Sequence, residues 1–138
     1  MHIMAIDYGD AHTGIAISDP TGFLAGFTTV IDAYRPEVVA DHIAALAKEH
    51  GVEELVLGHP INMDGTRGPR SEKAQAMKAL LEETTSLPVV LWDERRTTID
   101  AHQILFNSGK NAKKRKKVVD AVAASLILEG YLTYKKNL

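Results

Sequence analysis

The sequence predicts an α/β fold. One domain over residues 1–138 should hold a mixed five-stranded sheet in the order β-β-β-α-β-α-β-α, with helices on both faces. Three observations predict it. The chain opens with apolar runs divided by turn residues, the pattern of antiparallel strands. Later, short apolar runs alternate with helical periodicity, which implies parallel strands joined by right-handed crossovers. No internal repeat, low-complexity tract or Pro/Ser-rich linker divides the chain.

Ile3-Met4-Ala5-Ile6, running into Asp7, gives a first strand over 3–7, and Gly14-Ile15-Ala16-Ile17 gives a second over 14–18. The turn signal Asp19-Pro20-Thr21-Gly22 leads into a third strand over about 23–30. Pro36 fits the first position of a helix that ends near His50, with Gly51 as its C′ residue. Val39, Ile43, Leu46 and Ala47 recur on one face of that helix. Leu55-Val56-Leu57, bounded by Gly58, is a short strand; beyond a Gly-rich loop, Ser71 can cap a helix to about Glu83. Pro88 to Trp92 supplies the last strand. Thr97 and Asp100 resemble a capping box opening a helix to about Phe106, and an apolar-rich helix runs from about Arg115 to Tyr134.

Composition bounds the function. A chain with 45% hydrophobic and 25% charged residues is an ordinary soluble globular protein, and no apolar run reaches membrane-spanning length. The N-terminus lacks the pattern of a secretory signal. Without cysteine there is no disulfide, thiolate metal site or thiol nucleophile, so a cytoplasmic location is expected. The formal net charge of −2 hides a local excess: residues 110–117, KNAKKRKK, carry six basic side chains and no acid.

Three acidic positions suit packing poorly. Asp7 ends the first strand, where an unpaired charge is costly, and Asp93-Glu94 ends the last. Asp120 shares a helical face with Ala123, Ala124 and Ile127. Singly, each has an ordinary explanation: an Asx turn at Asp7, pairing with Arg95 or Arg96 at 93–94, a favourable helix-start charge at Asp120. Jointly they match a different need. Two-metal phosphodiester chemistry gathers carboxylates around divalent cations, and ligands of open sheets gather beyond the carboxyl ends of parallel strands. Zinc spacings and a G-x-S-x-G elbow are absent.

Two further segments point to phosphate. In GHPINMDGTRGPR, residues 58–70, the glycines permit close backbone approach, and Arg67 and Arg70 precede a predicted helix start. No Gly-Lys-Ser/Thr of a P-loop is present. The basic run leads into the helix bearing Asp120, where Lys113, Lys114, Arg115 and Lys116 can neutralise a nucleic-acid backbone.

Taken in order, several motifs resemble the YqgF family, whose RNase H-like fold is related to the RuvC junction resolvases. They are Asp7-Tyr8-Gly9 with Gly14-Ile15-Ala16-Ile17-Ser18-Asp19, Gly58-His59-Pro60 with Asn62-Met63-Asp64-Gly65-Thr66 and Gly68-Pro69, Asp93-Glu94-Arg95 with Thr97-Thr98, and Val119-Asp120-Ala121 with Ala123-Ala124. The resemblance implies a nuclease that processes the 5′ end of precursor 16S ribosomal RNA, or a Holliday junction resolvase. It implies Mg2+ or Mn2+ held by Asp7, Glu94 and Asp120, with Asp93 as the reserve for the second ligand. It also implies nucleic-acid contacts at Gly9, His12, Asn62, Arg67, Arg70 and Arg95 beside the basic run. The sequence departs from the family pattern at His12, where Arg is common, and at His59, where Leu is common.

The expected activity is hydrolysis of phosphodiesters in structured RNA, by a monomer or homodimer. A four-way DNA junction is the alternative substrate and requires a symmetric dimer. A catalytically silent RNA-binding assembly factor and an actin-like phosphotransferase are the other readings. The last ranks lowest, because one lobe of 138 residues cannot form an interdomain nucleotide cleft.

Overall fold

Five strands form one sheet in the order β3-β2-β1-β4-β5. The structure, a computed structural model, describes residues 2–19, 25–59, 69–93 and 112–136; for 69–70 and 112–120 it describes the backbone. Along the chain the elements are β1 (His2–Asp7), β2 (His12–Ser18), β3 (Ala25–Asp32), α1 (Pro36–His50), β4 (Val52–His59), α2 (Pro69–Thr85), β5 (Val89–Asp93) and α3 (Ala112–Lys136). The β1–β2 and β2–β3 pairs are antiparallel, and the β1–β4 and β4–β5 pairs are parallel.

The central strand β1 is covered on both sides, which is why its sequence is an unbroken apolar run. Met4 and Ile6 point into one core with Ile15, Ile17, Leu55 and Leu57, closed by Val39 and Ile43 of α1 and Met77 and Leu81 of α2. Ile3 and Ala5 point the other way, with Ala16 and Val56, under Ala124, Ile127, Leu128 and Tyr131 of α3. Large side chains face α1 and α2, whereas alanines admit α3 close to the sheet.

Helix α1 keeps its predicted limits because both ends are encoded locally. Pro36 lies in its first turn, and Gly51 adopts φ 65°, ψ 37°, with its N–H bonded to the Ala47 carbonyl. Strands β1, β2 and β4 and the other two helices exceed the predicted ranges, whereas β3 and β5 run further toward the C-terminus than predicted, to Asp32 and Asp93. Ser71 does not cap α2: the helix begins at Pro69, and Ser71 is buried inside it, its hydroxyl 2.5 Å from His59 Nε2. Proline can open a helix because its missing N–H would be unpaired there anyway. Helix α3 begins at Ala112, so the basic run from Lys113 to Lys117 belongs to helix rather than to a preceding loop. The predicted helix from Thr97 to Phe106 lies outside the described residues.

The last turns of α3 are anchored on β4 and β5. The Tyr131 hydroxyl donates to a Glu54 carboxylate oxygen, and Lys135 Nζ lies 3.3 Å from the other oxygen. Trp92 stands edge-on to Tyr131 at 5.7 Å between centroids. Gly130 makes room for it, since a Cβ there would lie 3.3 Å from Trp92 Cζ2. Among the described residues, no helix is long and apolar enough to cross a membrane.

Candidate active site

Side-chain alternation fixes the face on which each strand-end residue stands. Asp7 continues the series Ile3, Ala5 and therefore stands on the α3 face, at the carboxyl end of the central strand. It is half-buried, and its carboxylate makes no hydrogen bond or ion pair among the described residues. Its strand neighbours leave space around it. Its Cα partner on β2 is Gly14, and on β4 the parallel register passes from the Ile6–Leu57 pair to Gly58. Both glycines are buried and bring no side chain to that face.

His12 stands on the same face, because it continues the series Ala16, Gly14. Its Nδ1 lies 2.6 Å from Asp32 Oδ1, and the two residues are direct cross-strand partners on β2 and β3. The sequence does not reveal this pair, because the pairing register must be known before the two are seen as partners. Gly9 serves the same corner sterically. A Cβ on it would lie 2.4 Å from the His12 carbonyl oxygen, so only glycine lets the β1–β2 connection close this tightly.

The paired acids at 93–94 separate by face. Val89 and Leu91 join the core under α1 and α2, whereas Val90 and Trp92 join the core under α3. Asp93 therefore stands on the α2 face, beside its Cα partner His59 and across the sheet from Asp7. The strand thus sets Asp93 apart from Asp7; Glu94 lies outside the described residues. His59 belongs to the same opposite face, tied to Ser71 of α2, and holds the end of β4 against that helix. Asp120 precedes Ala124 by one helical turn, on the helix that covers Asp7's face; its side chain lies outside the described residues. Among the described residues no group of three His, Asp or Glu side chains forms a metal cluster. The chemistry of Asp7 nonetheless suits a cation ligand: it is a half-buried carboxylate without a counter-charge among the described residues.

Of the remaining expected contacts, Asn62, Arg67 and Arg95 lie outside the described residues, as does the side chain of Arg70 on the first turn of α2. Lys113, Lys114, Arg115 and Lys116 occupy the first turns of α3, whose first turn holds no acid. Cations at a helix N-terminus oppose its dipole. Helix stability therefore does not account for that run.

A second concave region of about 260 Å³ lies between α1 and α2, lined by Tyr8, Tyr34, Lys73, Met77 and Leu80. It belongs to the face opposite Asp7, and Lys73 Nζ pairs with Asp10 at 2.8 Å across its mouth. Burial, then the Asp10 charge, pushes the Tyr8 hydroxyl upward from its ordinary pKa.

The same architecture recurs in solved structures. T. thermophilus RuvC in complex with a Holliday junction substrate superposes with a TM-score of 0.65 at 12% identity, covering 99% of this chain and 96% of that one. The Fowlpox virus resolvase with its Holliday junction DNA gives 0.61 at 14% identity, covering 98% and 99%. The fold is thus RNase H-like, of the class that includes these resolvases. Within that class, the chain belongs to the RuvX (YqgF) family: the family description "RuvX: Holliday junction resolvase" matches residues 1–134. Relatives from Halothermothrix orenii (44% identical over 138 residues, 100% of this chain and 99% of theirs) and Bacillus licheniformis (43% over 134 residues, 96% of each) bear the name "Putative pre-16S rRNA nuclease".

Proposed function

We propose that the protein is a Mg2+- or Mn2+-dependent endonuclease that hydrolyses phosphodiesters of structured RNA and processes the 5′ end of precursor 16S rRNA in the cytoplasm. The observation that carries this reading is Asp7, a half-buried carboxylate at the end of the central strand, with no partner among the described residues and glycines on both neighbouring strands. The names of the full-length relatives supply the substrate.

In this reading Asp7, Glu94 and Asp120 would hold the ions. Glu94 is preferred to Asp93 because Asp93 faces α2, across the sheet from Asp7. Bound there, divalent cations would supply an activated water and charge stabilisation for the leaving oxygen. The chain's own residues do the rest. Lys113, Lys114, Arg115 and Lys116 engage the phosphate backbone without reading bases. Gly9 keeps the β1–β2 connection tight, so that Asp7 and His12 stay on adjacent strands. Cleavage of a four-way DNA junction is the second reading, favoured by the family description; it requires a dimer that presents two such sites.

The test sets precursor 16S rRNA beside a four-way DNA junction, in Mg2+ and in Mn2+, with wild type and Asp7→Asn. RNA cleavage that needs the metal and is lost in Asp7→Asn is expected. Preferential junction cutting selects the second reading. If folded Asp7→Asn cleaves at the wild-type rate, the assignment of Asp7 falls. Tight RNA binding by wild type with no cleavage in either metal makes the protein a silent assembly factor.

A further inference from the structure

We infer that His12, oriented by Asp32, is the proton donor to the leaving oxygen of the cleaved phosphodiester; the inference rests on the nuclease reading and adds a residue to it. Three observations meet at this pair. His12 and Asp32 are direct cross-strand partners on the α3 face of the sheet, with Nδ1 and Oδ1 2.6 Å apart. Asp7 on β1 pairs with Gly14, so His12, two residues from Gly14, is Asp7's diagonal neighbour on the same face. Such diagonal pairs stand about 7–8 Å apart and lie within reach of long side chains. Gly14 brings no side chain between the two, and the His12 side chain keeps a quarter of its surface exposed.

Stability does not explain the pair. Asp32 is half exposed, and exposed ion pairs contribute little to stability. The arrangement instead follows a recurrent catalytic one, in which a carboxylate holds one imidazole nitrogen and leaves the other for the substrate. With Nδ1–H donating to Asp32, Nε2 is the nitrogen that remains for a substrate beside Asp7. In the reaction, a water oxygen bonds to phosphorus and the bond from phosphorus to the 3′ oxygen breaks. The bonding electron pair stays on the 3′ oxygen, which takes the Nε2 proton and leaves as a hydroxyl. The attacking water gives up its proton to solvent, and solvent reprotonates the imidazole, so the net reaction is hydrolysis. Asp32 touches no reacting atom and is a positioning residue.

The experiment compares two substrates that differ in one atom: precursor RNA with the natural 3′ oxygen at its cleavage position, and the same RNA with a bridging 3′ sulfur there. A thiolate leaves without a proton. On the oxygen substrate His12→Ala and His12→Gln should be slower by about 10²-fold or more, the usual worth of a positioned acid, and Asp32→Asn by a smaller factor. On the sulfur substrate all three should approach wild type. Equal slowing on both substrates, or no slowing on either, overturns the inference. A second readout needs no turnover: in metal-free solution, the His12 Nε2 resonance of 15N-histidine-labelled protein should shift when the RNA is added. An unmoved resonance overturns the inference as well. Failure of the nuclease reading looks different, since wild type would then cleave neither substrate, or Asp7→Asn would cleave like wild type. The Nε2 resonance would still decide whether His12 meets the RNA.

Discussion

Two glycines in this chain are needed for different physical reasons, and substituting each by alanine separates stability from activity. At Gly9 the obstacle is steric. The added Cβ would sit 2.4 Å from the His12 carbonyl oxygen, whereas real Cβ atoms essentially never approach within 3.0 Å. The obstruction is backbone, so no side chain can swing away and the β1–β2 connection must open. Overpacking of this kind costs about 1–3 kcal/mol. At Gly51 nothing lies within 4 Å of the added Cβ, but φ is +65°. Alanine there meets only the left-handed penalty, about 1–2 kcal/mol. Urea unfolding should therefore show comparable losses for Gly9→Ala and Gly51→Ala. Cleavage should not. Opening the β1–β2 connection moves Asp7 relative to His12, and misplacement by an ångström costs roughly 10²-fold in rate. Gly51 ends α1 on the opposite face, so Gly51→Ala should cleave like wild type under conditions where both remain folded. If Gly9→Ala is as stable as wild type, or is destabilised yet cleaves normally, the steric account of this corner is wrong.

Ile127 is fully buried between α3 and the sheet, so Ile127→Ala should lose about 2–5 kcal/mol in urea unfolding. Tyr131→Phe removes the hydroxyl bound to Glu54 and should cost about 2 kcal/mol, the scale of a hydrogen bond to a charged group. Burial first, then the Glu54 bond and charge, holds the Tyr131 pKa well above its ordinary value. Its contribution is therefore complete below about pH 10 and is lost as pH rises towards the folded-state pKa. The stability difference between wild type and Tyr131→Phe, measured by denaturation against pH, should be flat up to that point and then shrink. Converting Lys113, Lys114 and Lys116 to Gln together should weaken RNA binding at low salt and flatten log K against log salt, by about 0.7–0.9 per lost phosphate contact.

How much the sequence disclosed depended on the range of the interaction involved. Pro36 and Gly51 specify α1 by local backbone chemistry, and its limits were readable without any tertiary contact. The run Ile3-Met4-Ala5-Ile6 likewise announced a doubly covered strand ending in Asp7. Ser71 misled because a serine before a helical stretch has the composition of a cap; its actual partner, His59, lies twelve residues back on β4. The start of α3 is hidden because a block of like charges resembles a solvated loop, although Lys and Arg are themselves good helix formers. The face on which Asp93 stands follows only from the placement of Val89 and Trp92 in opposite cores. Asp32 needed the β2–β3 register, which no local pattern encodes.

The two faces of the sheet divide the work, and residue size shows how. Towards α1 and α2 the central strands present Met4, Ile6, Ile15, Ile17, Leu55 and Leu57, volume enough to carry most of the core. Towards α3 they present Ala5, Ala16 and Val56, then Gly14 and Gly58 as the strands reach their functional ends. Glycine inside a strand weakens it, having no side chain to pack and more freedom to lose. Two such positions flanking one carboxylate that has no partner among the described residues are a cost that packing does not explain. They become intelligible if the space beside Asp7 must admit something larger than a side chain. On that view the large residues of the first face stabilise a fold that the second face weakens locally. Filling the second face at Gly14 or Gly58 with valine would then impair cleavage through lost space beside Asp7, whatever it does to the strand.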